Sequence, residues 1–420
     1  MATLVAAVAA LLPVIDGFRL PAVIAASSPL VAVSSLLATR AFDAIVLFGL
    51  AVGAVALVRR RWFCRWVCPT GTCADVAARA GQRLGRRCPR VAPAGQWVAW
   101  ITLGGAALGY PLLLWLDPLA MLSGSLGLLH VDTSPAAAWC ALGLGAVLVV
   151  SVVWPGLWCA RLCPLGALQD VLATPARAVG AMGGLSALAR DDCAAADKLP
   201  LAPAADELPL APARLGALAR RTVLGALAGV AWAAATRAVR GAAPKRPLRP
   251  PGALDEARFT GVCMRCGNCL RACPTEIIRP DQGEHGLAGL LTPVLDFHED
   301  YCREDCARCT AVCPSGALTR ITLEEKPHAR IGLPRVDMTV CLLGNDRDCA
   351  VCRTWCPYEA IRYVFDDDPD VYTLVPQIDP TKCNGCGACE AKCPTKPVKA
   401  IVVEPLRLVR PTALPPSPRY

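Results

Sequence analysis

One cysteine pattern, repeated four times near the C-terminal end, constrains this chain more than any other feature. The repeats read CMRCGNCLRACP (Cys263, Cys266, Cys269, Cys273), CREDCARCTAVCP (Cys302, Cys306, Cys309, Cys313), CLLGNDRDCAVCRTWCP (Cys341, Cys349, Cys352, Cys356) and CNGCGACEAKCP (Cys383, Cys386, Cys389, Cys393). The first and last have the spacing C-x2-C-x2-C-x3-C-P, and the middle two lengthen only the first gap. Three cysteines at short spacing wrap one cubane cluster, and the fourth reaches a neighbouring one. The proline behind each fourth cysteine stops a helix and turns the chain away.

Two other uses of cysteine fit poorly. A disulfide framework predicts scattered spacings in a small secreted chain, not four repeats of one spacing. Zinc usually takes two separated C-x2-C pairs rather than a triplet followed by a fourth cysteine. The sixteen cysteines are therefore expected to bind four 4Fe-4S clusters in two ferredoxin-like double-cluster modules of an α+β polyferredoxin domain over 254–406. Pairing is either between neighbours or nested, first with fourth and second with third. The shared spacing of the first and last quartets favours nesting.

The remainder reads as an α-helical membrane domain. Uncharged runs extend from Trp97 to Leu116 and from Ser134 to Trp158. A shorter run covers Ala44 to Val58, and Met1 to Ile15 is the weakest candidate. A bilayer core needs about 20 apolar helical residues. About four spans are expected within 1–163, with Leu20 to Thr39 interfacial or re-entrant. Arginines fix the orientation. Arg59, Arg60, Arg61, Arg65, Arg79, Arg83, Arg86, Arg87 and Arg90 crowd one loop, whereas Asp117 to Thr133 holds no Lys or Arg. The arginine loop is thus expected in the cytoplasm.

A second motif sits where two of these runs end. WFCRWVCPTG holds Cys64, Cys68 and Pro69, and LWCARLCPLG holds Cys159, Cys163 and Pro164. Cysteines at i and i+4 share a helix face. Two such pairs converging would offer four thiolates to a soft or borderline metal, a second metal or redox site. Cys73, Cys88, Cys140 and Cys193 follow no motif, and Cys140 reads as a small packing residue.

Residues 164–219 are rich in Ala, Leu and Pro, repeat LPLAPA and read as a linker. Arg220 and Arg221 precede an uncharged stretch to Thr236, which reads as a twin-arginine-like transmembrane anchor over 220–236. A basic Pro-rich spacer (237–253) and a Pro-rich tail (407–420) flank the cluster domain. On this reading the chain is a multi-pass protein of a bacterial inner membrane, with its clusters in the periplasm.

The two C-x3-C-P motifs resemble the membrane ferredoxin-type subunit of periplasmic nitrate reductase systems (NapH type) and its relative in methylamine utilisation (MauN type). The arginine pair followed by four quartets, the third with a long first gap, resembles the periplasmic partner subunit (NapG or MauM type). The whole is similar to a fusion of the two. The resemblance implies electron transfer from the quinol pool to a periplasmic oxidoreductase or c-type cytochrome. It carries over to Cys64, Cys68, Cys159, Cys163 and the sixteen quartet cysteines. An assembly factor that supplies electrons or metal to a metalloenzyme is the alternative.

Other functions lose support. No C-x-x-C-H is present for covalent haem, and His130 is the one histidine before the quartets. No Walker A and no strand-linked G-x-G-x-x-G point to a nucleotide. The net charge of +9 is largely the loop arginine, which gives no reason to expect nucleic acid. No acid/base pair or activated nucleophile marks a catalytic residue.

Overall fold

A computed structural model describes residues 24–41, 44–58, 61–89, 91–126, 135–180, 212–239, 246–286, 288–365 and 374–406. The Met1–Ile15 span candidate, Cys193, Arg59, Arg60, Arg90, most of the expected linker and the tail 407–420 lie outside the described residues. So does the side chain of Cys140.

The first half is helical. Its elements are α1 (Pro29–Thr39), α2 (Ala44–Val58), α3 (Trp62–Trp66), α4 (Pro69–Arg83), α5 (Ala94–Ala107), α6 (Pro118–Leu126), α7 (Pro135–Val153), α8 (Pro164–Gly180) and α9 (Pro212–Val239). Proline opens most of them, because its fixed φ suits the first helical position and its missing N–H is not needed there. Ser28 caps α1 through Val31 N and donates its hydroxyl to Asp117 Oδ2 at 2.6 Å. Asp117 in turn accepts from Leu119 N at 2.9 Å, so one buried carboxylate ties the starts of α1 and α6 together.

The described helices do not form the expected membrane architecture. Among the described residues no helix is long and apolar enough to cross a membrane. The run from Trp97 to Leu116 is not one helix: α5 ends at Ala107, Gly109 takes a positive φ of 76°, and a 3-10 turn follows at Leu114–Leu116. The run to Trp158 is helical only as far as Val153, before the turn at Pro155 and Gly156. Helix α2 has 15 residues and α1 has 11. Arg220 and Arg221 lie within α9 rather than ahead of an apolar span. The spans, the anchor and the multi-pass inner-membrane placement built on them are therefore not retained.

Close backbone approach explains the glycine content of the longest helix. A Cβ on Gly229 would lie 2.2 Å from Ile101 O, and one on Gly104 would lie 2.2 Å from Ala226 O. Helices α5 and α9 thus meet backbone to backbone at a crossing that only glycine permits.

The second half is built from short elements around the quartets. Helices α10 (Glu256–Val262), α11 (Asn268–Ala272), α12 (Arg308–Ala311), α13 (Val351–Thr354) and α14 (Ala388–Ala391) alternate with three two-stranded antiparallel sheets. Strand β1 (Ile278–Pro280) pairs with β2 (Pro293–Leu295), β3 (Gly332–Val336) with β6 (Ile401–Pro405), and β4 (Ile361–Phe365) with β5 (Leu374–Ile378). The registers include Ile278↔Leu295, Gly332↔Pro405 and Ile361↔Ile378.

One scheme occurs twice. A hairpin lies between two quartets (β1–β2, then β4–β5), and an outer pair closes around both. The outer pair is the Ala253↔Leu318 bridge in the first module and β3–β6 in the second. Phe259, Phe297, Ile277 and Val403 sit in a core shared with the cysteines.

The helical half seats on the first module. Ser35 Oγ donates to Ser315 O at 2.6 Å, and Arg271 Nη2 donates to Ser123 Oγ at 2.8 Å. Ala25, Val31, Leu114 and Ala120 pack with Met264 and Cys266. Replacing Gly229 by Val should force α5 and α9 apart and destabilise the helical half by about 1–3 kcal/mol. Hydrogen exchange across 212–239 should rise. Unchanged exchange there would show that the close crossing is not present in solution.

Candidate iron–sulfur centres

Each quartet shapes its cysteines by the same local means. Short helices hold the middle of each motif, with Gly267 and Gly387 in the left-handed region at the N-caps of α11 and α14. The fourth cysteine leaves the helix just before its proline. In the last two quartets an aspartate two residues ahead of a threonine fixes the approach. Asp337 Oδ1 accepts from Thr339 N, and Asp379 Oδ1 from Thr381 N. The Cys341 and Cys383 amides then bond back to Asp337 O and Asp379 O, both at 3.0 Å.

Four cavities result, and four cysteines line each. Cys263, Cys266 and Cys269 share theirs with Cys313. Cys302, Cys306 and Cys309 share theirs with Cys273. Cys341, Cys349 and Cys352 meet Cys393, and Cys383, Cys386 and Cys389 meet Cys356. Every triplet thus takes its fourth thiol from the neighbouring quartet. The grouping is first with second and third with fourth, so the nested arrangement favoured by spacing is not the one formed. The reason is topological: each outer strand pair closes around two consecutive quartets.

The donor sets fit cubane clusters. All sixteen cysteines are free thiols. Burial pushes the Cys266 and Cys386 thiols up to about 12. Thiolates form in such surroundings when a metal takes the proton's place. Cys393 is different: burial would raise it, but hydrogen bonds from Thr395, Ala400 and Ile401 bring it below its ordinary value. Among the described residues no group of three or more His, Cys, Asp or Glu side chains is arranged to hold a single metal ion. The thiols stand around each cavity, as a four-iron cube requires.

Sequence reasoning missed the hydroxyls that face the fourth cysteines. Thr395 Oγ1 lies 3.2 Å from Cys393 Sγ, and Thr275 Oγ1 lies 3.5 Å from Cys273 Sγ. The legible signal was C-P-T. It also missed Tyr363, whose hydroxyl lies 3.5 Å from Cys352 Sγ, and Lys326, which donates to Cys302 Sγ at 3.2 Å.

The cavities form a series whose order differs from that in sequence. Cys302 N donates to Cys386 O at 2.9 Å, joining the second cavity to the fourth. Phe297 of the first module packs on Gly387, where a Cβ would lie 2.3 Å from its ring. The spatial order is first, second, fourth, third, with the helical half seated on the first.

Cys64, Cys68, Cys159 and Cys163 also come together, though not on unbroken helices. Cys64 lies in α3, and Cys68 caps α4 by accepting from Gly71 N at 3.4 Å. Cys159 lies in a π-helical turn, Trp158–Leu162, and Cys163 accepts from Gly166 N at 3.4 Å ahead of α8. The two halves are near copies: each C-P supplies a cap and a first helical residue. Cys68 and Cys163 share an apolar cluster with Phe63 and Leu165, against which Cys64 packs. Gln169 Nε2 donates to Cys64 Sγ at 3.3 Å, and Arg61, paired with Asp170, borders the group.

Comparison with known proteins adds the following. The 4Fe-4S dicluster domain family Fer4_7 matches residues 262–317 and 347–396. The 4Fe-4S binding domain family Fer4_5 matches residues 40–87 and 136–181, which contain the C-x3-C-P cysteines. The ferredoxin-type protein NapG of Escherichia coli is 37% identical over 171 residues, covering 39% of this chain and 72% of that protein. The methylamine utilization ferredoxin-type protein MauM of Methylobacillus flagellatus is 36% identical over 151 residues, 35% of this chain and 63% of the relative. The ferredoxin-type protein NapF of E. coli is 30% identical over 155 residues, 36% of this chain and 84% of the relative. No solved structure matches.

The exchange of fourth cysteines can be read out chemically. Cys313→Ala should lower the iron content by about four per chain, the content of one cubane. Under anaerobic alkylation Cys263, Cys266 and Cys269 should become labelled. Labelling of Cys341, Cys349 and Cys352 instead would restore the nested grouping.

Proposed function

The chain belongs to the family of ferredoxin-type proteins that includes NapG and MauM, and from this premise we propose how its 4Fe-4S electron transfer is organised. The sixteen quartet cysteines hold four cubane clusters. Single electrons pass along them between a quinol-linked donor on the side of the helical half and an acceptor oxidoreductase or c-type cytochrome. Each cubane, when bound, supplies a centre that gains and loses one electron.

The observation that carries this reading is the contact between modules. Four cysteine-lined cavities follow one another without a break, and the middle junction is a direct backbone hydrogen bond from Cys302 N to Cys386 O. A store of unconnected clusters would not need that junction. Around it the residues do the physical work. Phe297 fills the space against Gly387 and keeps water out. Asn384 is fully buried: its side-chain amide donates to Lys326 O and its backbone carbonyl accepts from Ile331 N, which ties the fourth quartet to the segment that joins the modules. The donor side is supported by the packing of Ala25, Val31, Leu114 and Ala120 against Cys266.

The C-x3-C-P cysteines belong to the same reading as a further redox site ahead of the first cavity. The support is their convergence, and the match of both segments to a 4Fe-4S binding domain family.

Two experiments test this. Cys383→Ala should reduce electron delivery from quinol to the acceptor at least tenfold while removing only about four irons. Full delivery with that cluster missing would mean the series is not the route. Replacing Cys64 and Cys159 together by Ser should abolish quinol-linked turnover and leave the quartet clusters intact. Unchanged turnover would reduce these cysteines to packing residues. A partner enzyme made inactive or metal-free in cells lacking this protein would favour an assembly role.

A further inference from the structure

Lys326 is among the largest side chains with no exposure to solvent. It lies in a charged run, LEEKPH, where a solvated surface lysine would be the ordinary expectation. Its ammonium instead turns inward. Nζ donates to Cys302 Sγ at 3.2 Å, to Arg303 O at 3.1 Å and to Cys306 O. An ammonium has three N–H donors, and three acceptors surround this one. Among the described residues no ion pair joins Lys326 to a carboxylate. An unpaired buried cation is strongly disfavoured unless a negative group lies beside it. The groups beside this one are the Asp305 carboxylate, which its charge helps to hold down, and the thiol set of the second cavity: Cys302, Cys306, Cys309 and Cys273.

The placement is specific. Lys399, beside the last quartet, gives its N–H groups to Ala391 O and Cys393 O and not to sulfur. Arg271, beside the first quartet, donates to Ser123 Oγ and Asn268 Oδ1. Lys326 O also accepts from Asn384 Nδ2 at 3.4 Å, next to Cys383. Lys326 therefore stands where the two modules meet, with its charge directed at the second cavity.

We propose that Lys326 sets the reduction potential of the second cluster, raising it so that this centre holds the electron at the junction between modules. The inference rests on the four-cluster reading above. Cluster potential depends on net charge and on hydrogen bonds to the sulfurs. Reduction adds one negative charge to the cluster and takes one electron from its neighbour. A fixed ammonium on Cys302 Sγ favours the more negative state, and its N–H draws charge from the same sulfur. Both effects have one sign. Lys326 is a positioning and tuning residue, since its role is exerted through Cys302.

The test is a redox titration of the full chain, followed by electron paramagnetic resonance, for wild type, Lys326→Gln and Lys326→Arg. Gln keeps N–H donors without charge, and Arg keeps the charge. All three proteins are expected to hold about sixteen irons, four per cubane. In Lys326→Gln one of the four steps that belong to the quartet clusters should move to lower potential, by at least about tenfold in its equilibrium constant, ~59 mV. The other three should stay, and Lys326→Arg should stay close to wild type. Four unshifted steps in Lys326→Gln would overturn the proposal. So would loss of the second cluster from both variants, because Lys326 would then only brace the loop. Wild-type protein with fewer than about twelve irons would overturn the four-cluster reading itself.

Discussion

Completion of each cysteine set by its neighbour is the constraint on which the cluster half depends. A triplet such as Cys263, Cys266 and Cys269 lies in one short turn and cannot surround a cube alone. The fourth thiol has to come from elsewhere in the chain. Here Cys313 completes the first set and Cys273 completes the second. Neither site can be finished before the other loop is in place, so two quartets fold as one unit. The hairpin β1–β2 sets the distance between them, and the Ala253↔Leu318 bridge closes the ring. The second module repeats this with β4–β5 and β3–β6. Binding free energy of the metal becomes folding free energy in such a design, because the ligand set does not exist in the unfolded chain.

Burial then adds an electrostatic demand. Cys266 and Cys386 sit where a bare thiolate is unfavourable. The chain answers with donors aimed at sulfur: Leu318 N on Cys313, Ala360 N on Cys356, Thr395 on Cys393 and Lys326 on Cys302. These groups do not take the place of iron. They decide how much negative charge each set tolerates, and so make four sites with similar cysteine spacing electrically unlike.

The cysteine motifs were legible because their chemistry is local. Their pairing was not. Similar spacing in the first and last quartets pointed to nesting, but spacing within a motif says nothing about which strands close around it. Gly332 meeting Pro405 settles that, across about seventy residues of chain. The membrane reading failed for a related reason. Counting uncharged residues from Trp97 to Leu116 ignored Gly109 and Pro111, which break the helix before it reaches bilayer length. The C-x3-C spacing alone implies one helix face, but the proline after Cys68 or Cys163 opens a new helix. Lys326 was illegible because its partner lies 24 residues away and its own neighbourhood is charged.

The two ends of the series are unlike. Cys263, Cys266 and Cys269 are buried, and Met264 and Cys266 pack beneath α1 and α6. At the far end Cys341, Cys349 and Cys352 are all part-exposed, and the nearby Trp355 is 49% exposed. The thiols of the third cavity are part-exposed, whereas the helical half packs over the first. The C-x3-C-P cysteines lie within that same half. On the reading proposed above, exchange with a diffusing protein falls at the third cavity, and exchange on the side of the helical half falls at the first. Lys326 stands between the two ends, at the step from one module to the other.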